Sequence, residues 1–241
     1  MQKNMSSRLP FELGLSGGTD VRPELCPICI HAQTDESAAE VADLLDALCT
    51  LTHFGCFNVA SGAKILPGAK IERGRWVGEL SVRGVHPAFW RVFLQMCSQY
   101  HRLVSPINRV ELDIHQMAPL DASYPTAPPS IPFHVERAAI RPNTPAVIRL
   151  DAVSWPTDAL DNIRGAFEDW GSVVFSGGFF PADQEMDEPP FDTLSVNLLG
   201  RTRLECVAVG WRSIDAAVDC ALALCLGMHN FIQPLLRVEI E

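Results

Sequence analysis

Nowhere in its 241 residues does the chain carry an apolar run approaching the roughly 18–20 residues that a membrane-crossing helix needs. The first residues, MQKNMSSRLPFELGLSGG, hold a lysine but no apolar core of the kind a secretory signal has. Both absences point to a cytoplasmic protein with no membrane partner. Signatures of chemistry are equally scarce. There is no HExxH, no GxSxG, no P-loop and no paired HxT, and the Gly turns LSGG and FSGGF lack the spacing of a phosphate cradle. A single CxxC occurs, Cys26 and Cys29, without the second pair a zinc site of that type requires. It reads as part of a strand, where residues three apart point to opposite faces. Core cysteines, kept reduced, are therefore expected, with no metal and no cofactor.

Positive charge is short in one half only. Residues 1–144 hold 13 Lys and Arg against 14 Asp and Glu, whereas residues 145–241 hold 6 against 15. A nucleic-acid surface needs Lys and Arg to displace counterions, so nucleic acid is excluded as the expected partner. The excess of acid suits a basic protein instead.

What is present is a repetition. The C-terminal QPLLRVEIE echoes SPINRVELDI 128 residues earlier. At that offset His101 meets His229, Pro106 meets Pro234, and Arg109-Val110-Glu111 meets Arg237-Val238-Glu239. Ordered matches of this kind point to a duplicated module.

One module reads as follows. LCPICIHA (25–32) is a buried strand, and Val41, Leu44, Leu45 and Leu48 mark a helix face. FGCFNVASG (54–62) reads as a strand, RWVGELSVR (75–83) alternates as another, and Phe89, Val92, Phe93, Met96 and Tyr100 stripe a second helix. INRVELDI closes the module.

The second module repeats the order, with GSVVFSGGFF read as a strand and a hairpin turning at Gly200-Arg201 as one strand beyond it. Its last helix is expected to be capped by Ser213. The expectation is an α+β fold: a tandem ferredoxin-like β-α-β-β-α-β module, with antiparallel sheets and helices on one face. Residues 1–114 form the first module with an N-terminal extension. Residues 115–144 form a proline-rich strap, and 145–241 form the second module. A duplicated chain already pairs two modules, which favours a monomer.

The candidate site is the loop PADQEMDEPPFD (181–192), which carries Asp183, Glu185, Asp187, Glu188 and Asp192. It lacks the Gly and terminal Glu of a calcium loop. Phe179, Phe180 and Phe191 beside the acids are the expected aromatic anchors of a partner-binding surface. His101 and His229, at equivalent helix ends, are expected to face the helix dipole. His31, His53, His86, His115 and His134 have no partner arrangement legible in the sequence.

An acidic chain with a charged loop and no catalytic set resembles, in format, the immunity proteins that bacteria pair with secreted toxins, including nuclease-type toxins of type VI secretion. The resemblance transfers no individual residue. It implies a non-catalytic inhibitor that covers a basic cleft through acidic groups. The alternative, a dimeric α/β-barrel-like enzyme or small-molecule binder, requires a site between the two modules.

Overall fold

The structure, a computed structural model, describes residues 9–16, 24–57, 62–114, 124, 130–141, 144–180, 188–212 and 215–241. Two sheets and four helices make up an α+β fold.

The first sheet holds β1 (Glu12–Ser16), β2 (Leu25–Ala32), β3 (Gly62–Ile65), β4 (Lys70–Glu72), β5 (Arg75–Arg83) and β6 (Ile107–Asp113). Its order is β1-β6-β2-β5-β3, with β4 also pairing β5. The second sheet holds β7 (His134–Arg137), β8 (Ala146–Ala152), β9 (Thr193–Leu199), β10 (Arg203–Val209) and β11 (Leu235–Ile240), in the order β7-β11-β8-β10-β9. The helices are α1 (Asp35–His53) and α2 (Ala88–Leu103) in the first half, and α3 (Leu160–Phe175) and α4 (Asp215–Phe231) in the second.

Three expectations are corrected. The sheets are mixed, because β1 runs parallel to β6 and β7 runs parallel to β11. FGCF is a turn after α1, and the described strand begins only at Gly62. GSVVF is helical: α3 runs on to Phe175 and ends in a turn at Gly177, whose φ is 75°. Val173 and Val174 are β-branched and suggest a strand by propensity, yet both are wholly buried on the helix. Packing outweighs the propensity there. With that strand removed, β9 and β10 are an ordinary hairpin and not an addition. The Ser213 cap lies outside the described residues.

The two edge strands arise from similar sequence. Leu9-Pro10-Phe11 leads into β1 and Ile131-Pro132-Phe133 leads into β7. Phe11 packs beside His101, and Phe133 beside His229. Each histidine accepts on Nδ1 the first main-chain N–H of the following strand, from Ile107 at 3.1 Å and from Leu235 at 2.9 Å. These rings therefore fasten a helix end to a strand start in both halves.

The helical layers face each other between the sheets. α1 packs on α3, and α4 is buried along nearly its whole length. A Cβ on Gly227 of α4 would lie 2.3 Å from the carbonyl oxygen of Phe54, so only glycine lets these backbones meet. Gly178 similarly abuts Val92 and Met96 of α2. Tyr124, within the proline-rich segment, stacks edge-on against Phe57 and Phe179, with ring centroids 5.4 and 5.1 Å away, and donates its hydroxyl hydrogen to the Cys56 carbonyl. The result is a sheet–helix–helix–sheet sandwich with one continuous apolar core. β11 buries Leu235, Val238 and Ile240 inward and turns Arg237 and Glu239 outward; a bulge between Leu235 and Arg237 corrects the alternation.

Candidate partner-binding groove

α1 has two faces because its apolar and acidic residues recur at the same helical spacing on opposite sides. Val41, Leu45 and Leu48 turn into the core, while Glu36, Glu40, Asp43 and Asp46 recur every three or four residues on the exposed side. Thr34 caps the helix by accepting the Ser37 N–H at 3.1 Å. The acidic stripe runs along the seam with α3, where Glu168 and Asp169 lie.

A groove of about 480 Å³ opens at this seam. Glu40 and Asp43 stand on its rim, and Leu44, Leu103, Val104 and Phe175 form its apolar wall. A second depression of about 390 Å³ continues from it past Leu44 and Phe175 to Glu168 and Asp192. Phe175 is 43 % exposed and Leu103 47 %, and with Val104 they make an apolar lining along one groove. No Lys or Arg lines either depression among the described residues.

Two polar side chains of α2 lie along this wall. Gln99 is 1 % exposed and lines the groove, yet neither atom of its amide has a hydrogen-bond partner. A buried amide left so costs about 1–3 kcal/mol unless a ligand or water completes it. Tyr100 donates its hydroxyl hydrogen to the Glu40 carboxylate. Burial first, and the hydrogen bond to Glu40 second, push the tyrosine up to about 12.

Crowding of acids also marks the seam. Asp169 is held above the usual carboxylate range, mainly by burial and further by Asp46 and Glu168, against a hydrogen bond from Thr50. Its folded-state pKa lies above its unfolded one, so the native state binds the proton more tightly. Stability should then fall as pH rises from the ordinary carboxylate range through the folded pKa. Asp169→Asn is expected to raise the urea midpoint at neutral pH. That gain should vanish near about pH 3, where aspartate is protonated in both states.

The loop residues named from sequence fare unevenly. Asp183, Glu185 and Asp187 lie outside the described residues. Glu188 and Asp192 are exposed and share Arg212, at 3.1 and 3.4 Å, and Asp192 lines the groove's extension. Phe191 is not an exposed anchor: it is 3 % exposed and stacks on Trp211, which stacks in turn on Trp170, with centroids 6.2 and 6.0 Å apart. Phe179 is likewise buried, against Tyr124. The exposed aromatic of the seam is Phe175, which the strand reading of GSVVF concealed. The acids of α1 were also missed, although their three-and-four spacing was legible.

All eight cysteines are free and buried. Burial pushes Cys26 up to about 12, as suits an inert core thiol. No protein-family model matches the chain, and the curated proteins searched hold no match to it. Among the described residues, no helix is long and apolar enough to cross a membrane.

Proposed function

We propose that the protein is a non-catalytic binding protein that captures a basic protein partner in the groove between its two halves. The observation that carries this reading is the pairing of an exposed apolar floor, Leu103, Val104 and Phe175, with an acidic rim of Glu40, Asp43 and Glu168, to which Asp192 adds a carboxylate that it shares with Arg212. Apolar anchors supply affinity, and the rim charges supply attraction and orientation. Pro189 and Asp192, from the described end of the acidic segment 181–192, border the groove.

We further propose that the fold is a tandem duplication of a ferredoxin-like module. The like strand orders, the matched histidine contacts and the repeated Pro-Phe entries support it. Each module then gains one parallel edge strand. In function, the format fits a cytoplasmic immunity protein: a monomer that neutralises a secreted toxin, such as one of the nuclease type, by covering a basic cleft in a one-to-one complex. The alternative, a small-molecule or enzyme site between the modules, draws on the groove's size, which falls within the range of about 300–1,000 Å³ for ligand sites. Among the described residues, no His, Cys or Lys lines the groove.

The test is affinity capture from the source cells with wild type and with Asp183, Glu185, Asp187 and Glu188 all changed to Lys. A stoichiometric basic protein is expected on the wild type and lost on the variant. An unchanged set of captured proteins would refute a role for the loop.

A further inference from the structure

The outer faces of the two sheets, away from the groove, carry different chemistry at matching positions. In the second sheet Glu239 lies opposite Arg149 on one side and Glu205 lies opposite it on the other. The Arg149 guanidinium is the hub, contacting Glu205 at 2.9 Å, Glu239 at 3.7 Å and Glu241 at 2.5 Å. Asp151, two residues along β8, is held by Arg203 in a two-pronged ion pair. The face is an ion-pair lattice built around a central cation.

The first sheet keeps part of this lattice, Glu111 and Arg75, and replaces its centre, with Val77 standing where the second sheet has Glu205. There Glu111 lies opposite Cys29, and His31 lies opposite Arg75. Cys29 thus stands where the second sheet has Arg149, His31 where it has Asp151, and Glu111 where it has Glu239. The side chains converge. Cys29 Sγ lies 3.2 Å from His31 Nε2, and His31 Nε2 lies 3.7 Å from Glu111 Oε1. All three donor atoms fall within 4.8 Å of one another.

These distances fit one ion. Zinc bonds of about 2.0–2.3 Å in tetrahedral geometry place neighbouring donor atoms about 3.5 Å apart. The donor set is selective as well. A thiolate, an imidazole and one carboxylate suit Zn²⁺ and are poor for Mg²⁺ or Ca²⁺, which take oxygen ligands. Position along the strands explains the convergence: Cys29 and His31 are two apart on β2 and share a face, and Glu111 comes from the neighbouring β6.

We propose that Cys29, His31 and Glu111 form a site for a divalent transition metal of the zinc class, with water in the fourth position. The ion supplies the central positive charge that Arg149 supplies in the second sheet. Two arginines border the site. Arg109 holds Glu111 at 2.9 Å through Nε, leaving a carboxylate with capacity for a metal bond. Arg75 donates from Nε to Cys29 Sγ at 2.9 Å, and this bond must give way. Arg75 is exposed, so the exchange costs one hydrogen bond at the surface. On binding, the thiol releases its proton to solvent and the sulfur takes the metal bond.

The experiment uses the full chain, freed of metal and kept in a reductant that does not bind metal. Co²⁺ is added and the thiolate-to-cobalt charge-transfer absorption is followed, then Zn²⁺ is added to displace it. One equivalent of Co²⁺ should raise the band and Zn²⁺ should abolish it. Cys29→Ser should remove the band. His31→Ala and Glu111→Gln should each weaken binding by at least the about 10–100-fold that follows loss of supporting residues around metals. His134→Ala, on the second sheet, should change nothing. Circular dichroism checks that each variant is folded; should Cys29→Ser fail that check, His31→Ala and Glu111→Gln decide. A wild type without the band, or variants that bind Co²⁺ as tightly as wild type, would overturn the proposal.

Discussion

Gly227→Ala is expected to lower the melting temperature by about 6–12 °C, the reverse of what this substitution does in an ordinary helix. Replacing an interior helical glycine by alanine normally stabilises by about 0.5–1 kcal/mol, because the unfolded chain loses freedom. In α4 the added Cβ would sit 2.3 Å from the Phe54 oxygen and 2.8 Å from the neighbouring Phe54 carbons. Those are main-chain atoms that cannot swing aside. The helix must lift from the first half, and with it Cys220, Ala221, Leu224 and Met228, all wholly buried. Overpacking against backbone and the voids opened beside it cost at least about 3 kcal/mol. At about 2–4 °C per kcal/mol for a chain of this size, the stated range follows. A thermal melt of the two proteins, side by side, checks it. A variant as stable as wild type or more so would mean that the halves do not meet there.

Removal of residues 235–241 is expected to abolish cooperative folding of the second half. β11 is an interior strand that pairs with β7 on one side and β8 on the other. Its loss would strand β7 without a neighbour and uncover β8. It would also remove Leu235, Val238 and Ile240, each almost wholly buried, from under the helices. Burying such a side chain stabilises by about 1.5–3 kcal/mol. Three of them, with the pairing of two strands, are comparable to the whole margin of about 5–15 kcal/mol by which domains are stable. Because the core is continuous across both halves, the first half should lose stability as well. Near-ultraviolet circular dichroism reports the outcome, since the stacked Trp170 and Trp211 lie in the half that would unravel. A truncated protein with the wild-type spectrum and a single sharp melt would contradict the topology.

Much of this architecture was legible in the residues. The Arg-Val-Glu echo marks the last strand of each half, and the amphipathic stripes of α1 and α2 are plain. Two kinds of information were hidden. The first is where packing outweighs local preference. Val173 and Val174 look like strand residues but lie on a helix that the core encloses, so Phe175 and its exposed ring went unseen. The edge strand β7 is short and sits among prolines, which obscured it, although Ile131-Pro132-Phe133 repeats Leu9-Pro10-Phe11. The second kind is cross-strand register. His31 shows no full partner set in sequence because Glu111, which completes its cluster with Cys29, meets it only when β2 and β6 pair. The acidic rim was half legible: residues 181–192 are conspicuous as a cluster, while the stripe on α1 is spread along one helix.

The reading of the groove rests on where a partner touches the protein. Site-specific photo-crosslinking in the source cells measures this directly, with the probe placed in turn at Phe175 on the groove floor and at Val77 on the outer face of the first sheet. The account predicts that the Phe175 probe joins a basic protein in a one-to-one adduct and that the Val77 probe does not. An adduct formed from Val77, with none from Phe175, would contradict it.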